Sequence, residues 1–108
     1  MDGTVNVSLQ VIPRVEGMHP YDAVDRAIAV IQASGVQYEV GPMETTMEGE
    51  YDRLMQVVKE AQEACIAVGA ESIITIVKVA WKRGGTTMDE KTGKYRAGFR
   101  ADRQGQER

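Results

Sequence analysis

One cysteine, one histidine and one asparagine stand among the 108 residues, and each scarcity removes a class of function. With Cys65 alone there is no intrachain disulfide framework and no cysteine cluster for zinc. His19 has neither a Cys nor a second His nearby, so no metal site is expected and its role is to cap or flank a helix. No apolar stretch approaches the roughly 20 residues that a membrane-spanning helix needs. The N-terminus lacks a basic segment followed by an apolar run, so no signal peptide is expected and the cytoplasm is the default compartment.

The formal net charge is −3, which names no polyanion as a partner. The charge is unevenly spread. Residues 1–82 hold 6 Lys/Arg against 12 Asp/Glu, a balance of −6, and residues 83–108 hold 7 against 4, a balance of +3. The basic end carries no interleaved aromatics beyond Tyr95 and Phe99, so nucleic-acid binding is not expected. Gly84-Gly85 is no phosphate loop, because no Lys-Ser/Thr follows it into a helix.

What is present is an ordinary globular composition, 43% hydrophobic and 27% charged, in a chain long enough for one domain. Val5, Val7, Leu9 and Val11 alternate with Asn6, Ser8 and Gln10, which predicts a half-buried strand ended by Pro13. His19-Pro20 opens a helix with Pro at its first position and Val24, Ala27, Ile28 and Ile31 as its apolar stripe. Ser34-Gly35 stops it, with Gly35 as a left-handed cap. A short strand (Val36, Tyr38, Val40) meets Gly41-Pro42, and a second run, Met43 to Glu48, follows at once. The next helix begins at Glu50 and buries Leu54, Val57, Val58, Ala61, Cys65 and Val68. Glu71 to Lys82 is the last strand, with Ile73, Thr75, Val77, Val79 and Trp81 on one face.

The order β-α-β-β-α-β predicts an α+β fold, a ferredoxin-like sandwich with a four-stranded antiparallel sheet and two helices on one face. The first and third strands belong in the middle. Gly84-Gly85 starts a tail, Thr86 to Arg108, of weak periodicity and much charge; the single domain is expected over residues 1–95, and 96–108 reads as a flexible charged C-terminal tail, disordered from Asp102. Lys91 to Phe99 is the part suited to order against a partner chain. The sheet face away from the helices carries Asn6, Ser8, Gln10, Gln37, Glu39, Glu44, Thr46 and Glu48, with Ile74 and Ile76 on the last strand. A bare face with free edges calls for cover, and self-association into a dimer or tetramer is its simplest source.

The strand carrying Glu44, Thr45, Thr46 and Glu48 has more polar groups than burial requires, so a site is placed there. Thr45 falls on the helix-facing side and Thr46 and Glu48 on the other, so both sides reach one ligand only through a bulge near Gly49 or a site at the strand end. Tyr38, Tyr51 and Trp81 offer ring faces for stacking, or serve as core and interface aromatics. Glu48 either meets a ligand or helps to cap the second helix. Arg14, just after the first strand, sits where an acylphosphatase-like enzyme of this fold holds a phosphate. That chemistry also needs an Asn on a later element, and Asn6 is in the first strand, so a hydrolase ranks last.

The run Met43-Glu44-Thr45-Thr46-Met47-Glu48-Gly49-Glu50 resembles the M-G-T-x-x-E-G-E signature of the small thiamine-binding proteins of the MTH1187 and YkoF-like type (UPF0045, DUF77). Pro13, Ser34-Gly35, Gly69-Ala70, Arg83 and a short Met88-x-x-Lys91 element add to the likeness, which spans residues 4–95. Glu44 stands where that family usually has Gly, and Trp81-Lys82 replaces a more acidic pair. The resemblance implies a ferredoxin-like subunit, assembled as a homo-oligomer, that binds thiamine or its hydroxymethylpyrimidine part without catalysis or cofactor. The expected ligand-binding residues are Ser8, Tyr38, Thr45, Thr46, Glu48 and Trp81. The alternative is a structural or regulatory homo-oligomeric module without a small-molecule ligand.

Overall fold

The computed structural model describes residues 1–96, so the tail expected over 96–108 lies outside the described residues except for Arg96. The chain forms β1 (Thr4–Arg14), α1 (Pro20–Ala33), β2 (Gln37–Val40), β3 (Thr45–Glu50), α2 (Tyr51–Ala67) and β4 (Ser72–Ala80). A third helix, α3, covers 88–96. The fold is α+β, with one antiparallel sheet in the order β2-β3-β1-β4 and the first and third strands central.

The core follows from alternation on the strands. Val5, Val7, Leu9 and Val11 of β1 and Met47 of β3 are buried together with Ala27 and Ile31 of α1 and Leu54, Val57, Val58, Ala61 and Cys65 of α2. The stripe of α1 is centred one position earlier than its spacing suggested. Ala23, Ala27 and Ile31 face inward, and Val24 and Ile28 are half-buried at its margin. Ala23 is small enough to bring α1 close to α2, where its carbonyl accepts the Cys65 thiol at 3.4 Å. Burial pushes that thiol up from its ordinary pKa, as suits an inert core group.

The helix ends are capped from the sequence. His19 Nδ1 accepts the Tyr21 N–H at 3.1 Å, with Pro20 at the first helical position. Glu50 accepts the N–H groups of Asp52 and Arg53 at 3.2 and 3.0 Å, so the cap of α2 is Glu50 and not Glu48.

Two expectations are corrected. Pro13 does not end β1, which continues to Arg14 with Pro13 opposite Ile73. Beyond Leu9, β1 pairs with β4 alone, so a residue without an N–H is tolerated there. The segment after Gly84-Gly85 is not a tail up to residue 96. Both glycines adopt positive φ (85° and 95°), the chain turns, and Thr86 N–H donates to the Thr4 carbonyl at 2.9 Å. Helix α3 then lies across the sheet face opposite the core, so that face is covered in part by the chain itself. Thr87 Oγ1 accepts the Glu90 N–H at 3.1 Å, and the Glu90 carboxylate accepts the Thr86 hydroxyl at 2.8 Å. The Thr86 bond, then the Thr87 backbone N–H, lowers the Glu90 pKa. Thr87-x-x-Glu90 is a capping box, and it is the local signal for a helix that shows little apolar periodicity.

Candidate functional site

The strand register lays the polar side chains out in rows across the sheet. Glu39, Thr46, Ser8 and Lys78 are successive cross-strand partners. One row along, Gln37, Glu48, Asn6 and Ala80 are partners in the same order. In the other direction β1 meets β4 at Gln10–Ile76 and Ile12–Ile74. The face therefore grades from polar, beside α3, to apolar at the far end of β4. Thr46 and Glu48 share this face because side chains alternate along a strand, and Thr45 points the other way for the same reason.

Between α3 and the polar rows is a cavity of about 360 Å³ lined by Asn6, Ser8, Glu39, Glu44, Thr46, Lys78, Val79, Ala80, Met88, Lys91 and Thr92. The sheet is its floor and α3 one wall. Glu44, from the turn between β2 and β3, accepts the Ser8 hydroxyl at 3.2 Å and pairs with Lys78 at 3.0 Å. That turn is tight. Gly41 N–H donates to the Glu44 carbonyl at 2.9 Å, and a Cβ at Gly41 would meet the same oxygen at 2.9 Å. Lys91 Nζ donates to Asn6 Oδ1 at 2.7 Å, and the Asn6 amide donates to the Thr86 carbonyl at 3.4 Å and to Glu48 Oε1 at 3.5 Å. Arg96 pairs with Glu39 and with Asp89, each at 3.2 Å.

Glu48 has a definite job in this arrangement. Its Oε1 accepts the backbone N–H of Met88, at the start of α3, as well as the Asn6 amide. It holds the wall of the cavity and does not itself line it. The alternative role for Glu48, a cap of α2, is corrected: the helix it supports is α3, 40 residues away.

Of the six expected ligand-binding residues, Ser8 and Thr46 line the cavity and Glu48 lies beside it. Thr45 is buried on the core side and borders a second, smaller cavity of about 260 Å³ with Tyr21, Ile28 and Met43. β3 runs without a bulge through Gly49, which pairs with Val5, so Thr45 and Glu48 stay on opposite faces. Tyr38 is on the core side of the edge strand β2, opposite Met47. Trp81 follows β4, half exposed, and its indole N–H donates to the Asp2 carbonyl at 3.3 Å. The structure thus groups Ser8, Thr46 and Glu48 and leaves Thr45, Tyr38 and Trp81 elsewhere.

Asn6, Glu44, Lys78 and Lys91 were not named as ligand-binding residues from sequence. Asn6 and Glu44 were assigned to this face by alternation, and a polar residue inside an otherwise apolar strand is the signal that marks Asn6. Lys78 shares that alternation. Lys91 carried a hint only in the Met88-x-x-Lys91 spacing, and its contact with Asn6 spans 85 residues.

Among the described residues no group of three or more His, Cys, Asp and Glu is placed to hold a metal, and no helix is long and apolar enough to cross a membrane. All buried side-chain nitrogens and oxygens of the described residues have hydrogen-bond partners. The cavity can therefore offer hydroxyl, amide, carboxylate and ammonium groups to a polar ring or small zwitterion, held by hydrogen bonds and charge.

The family model described as thiamine-binding protein matches residues 7–96. A UPF0045 protein of Clostridium perfringens is 57% identical over 93 residues, covering 86% of this chain and 98% of that one. A structure of a domain of unknown function, DUF77, from Bacillus cereus is 50% identical, with a TM-score of 0.83 over 86% of this chain and 90% of that one. A Thermotoga maritima structure, whose name proposes a thiamine biosynthesis or salvage role, is 39% identical, with a TM-score of 0.78 over 85% of this chain and 98% of that one.

Proposed function

Because the chain belongs to the thiamine-binding protein (UPF0045, DUF77) family, we propose that it is a non-enzymatic binder of thiamine or its hydroxymethylpyrimidine moiety, working as a homo-oligomer in the cytoplasm. The β-α-β-β-α-β unit is read as a ferredoxin-like subunit. The observation that carries the ligand is the cavity beneath α3. An aminopyrimidine presents adjacent donors and acceptors on its edge, and the cavity sets the Ser8 and Thr46 hydroxyls and the Glu44 carboxylate side by side. A thiazolium cation finds the Glu39 and Glu44 carboxylates lining the same cavity. The cavity contains no cysteine, and no residue in it is paired with a His as an activated nucleophile would be, so binding is the chemistry it supports.

For assembly, Ile12, Ile74 and Ile76 form an exposed apolar patch (44%, 63% and 44%) beside the outer edge of β4. A second copy of the chain is the proposed cover, because an edge strand of nine residues offers a ladder to another such strand.

The second reading is an oligomeric module without a small-molecule ligand. It is favoured by the way Glu44 and Glu48 already satisfy neighbours within the chain, through Ser8, Lys78, Asn6 and Met88. Thermal unfolding with thiamine, hydroxymethylpyrimidine and an unrelated pyrimidine nucleoside separates the two. A ligand that binds only the folded state raises the midpoint in proportion to its concentration over Kd. The proposal requires a rise with thiamine or hydroxymethylpyrimidine that Thr46→Val and Ser8→Ala diminish. No rise with either compound at millimolar concentration leaves the second reading.

A further inference from the structure

We infer that Lys91 makes the cavity select the phosphorylated form of its ligand, the phosphate monoester over the free alcohol. The inference rests on the aminopyrimidine reading for the body of the ligand and on an independent observation for its anionic end.

That observation is the charge pairing around the cavity. Glu44 is paired with Lys78 at 3.0 Å and Glu39 with Arg96 at 3.2 Å. Lys91 lines the same cavity and, among the described residues, forms no ion pair. Its ammonium donates to a neutral acceptor, Asn6 Oδ1, at 2.7 Å. Asn6 in turn donates to Glu48, whose oxygen is engaged by the Met88 N–H, and the neighbouring Glu90 carboxylate is held by the Thr86 hydroxyl. An ammonium has three donors, and this contact uses one. The remaining donors and the ammonium charge are open to a ligand at the exposed edge of the cavity, where low salt leaves them least screened.

A phosphate monoester carries a charge of about −1.5 to −2 near pH 7 and three acceptor oxygens. Lysine meets such a group as a point charge. The rest of the cavity fits the other end of the molecule. Glu39 is on β2 and Asn6, which holds the Lys91 ammonium, is on β1 two strands away, so the Glu39 carboxylate and the Lys91 end are separated by roughly 10 Å at the usual strand spacing. A ligand with an amino or cationic ring at one end and a phosphate at the other matches that polarity. A neutral hydroxymethyl group leaves the Lys91 charge unanswered.

The test is calorimetric titration of the full chain at pH 7.5 and low salt with thiamine, thiamine monophosphate, hydroxymethylpyrimidine and its phosphate. At least one ester is expected to bind at least tenfold more tightly than its parent alcohol. In Lys91→Met that ratio is expected to fall towards one, and in Lys91→Arg, which keeps the charge, to persist. Circular dichroism verifies that the variants fold. Equal affinities of ester and alcohol in the wild type, or a preference that survives in Lys91→Met, overturn the inference. Thermal melts with inorganic phosphate and pyrophosphate form a separate arm. If no pyrimidine binds, the aminopyrimidine reading fails, and the anion inference then stands if either anion stabilises the wild type but not Lys91→Met. It falls if neither anion does.

Discussion

Glu48 and Met88 are joined across the sheet face. The carboxylate on β3 accepts the first backbone N–H of α3, and the same oxygen takes the Asn6 amide. A residue read from sequence as a ligand contact is thereby the anchor of a cavity wall. Glu48→Gln keeps the shape and removes the charge, so it is expected to lower stability by about 1 kcal/mol, the difference between a hydrogen bond to a charged group (about 1.5–3 kcal/mol) and a neutral one (about 0.5–1.5 kcal/mol). Hydrogen exchange resolves the effect. The Met88 amide should lose protection with no ligand present, while the amides of β1 and β4 keep theirs.

Leu54 tests the core. It is fully buried between α2 and the sheet, and a Cβ added at Gly49 would sit in ordinary contact with its methyl group, at 3.5 Å. Leu54→Ala is expected to cost about 2–5 kcal/mol through lost contacts and an unfilled cavity. A urea unfolding curve should show a lower midpoint at unchanged slope.

Most of this architecture was legible because it is periodic. Val5, Val7, Leu9 and Val11 announce a strand and its buried side, and Leu54, Val57, Val58, Ala61 and Cys65 announce a helix and its stripe. The same alternation separates Thr45 from Thr46 and Glu48. What periodicity does not convey is contact at a distance. Helix α3 buries one large side chain, Met88 (7% exposed), and its other ties, with those of the turn before it, are polar bonds to Thr4, Asn6, Glu48 and Glu39. No stripe records such bonds. The local clue was the Thr87-x-x-Glu90 box. The α1 register was missed by one residue because Ala23 is small, and its burial is set by the approach of α2, which local hydrophobicity does not report.

Glu90 gives a pH prediction. The Thr86 hydroxyl and the Thr87 backbone N–H hold its carboxyl below the ordinary value of 4.5. A carboxyl depressed on folding contributes stability above its unfolded value, and that stability is lost as the pH falls below 4.5 and through the depressed value. The Glu90 carboxyl carbon should titrate by NMR with a midpoint below 4.5 in the wild type, moving back towards it in Thr86→Val.

Ile74 reports on assembly. Light scattering of the wild type at micromolar concentration is expected to give a dimer or tetramer mass. Ile74→Lys puts a charge into the apolar patch and should shift the population to monomer without altering the circular dichroism spectrum. A monomeric wild type would remove the proposed interface.

The bond from Thr86 to Thr4, with that from Trp81 to Asp2, fastens the beginning of the chain to the stretch that follows the last strand. Residues 2–86 thus form a nearly closed loop whose clasp lies just before the start of α3, one wall of the cavity. A fusion partner or purification tag placed before Thr4 would pull on the same stitch that seats α3, so alterations at the amino end should be felt at a wall built almost entirely from the carboxyl side.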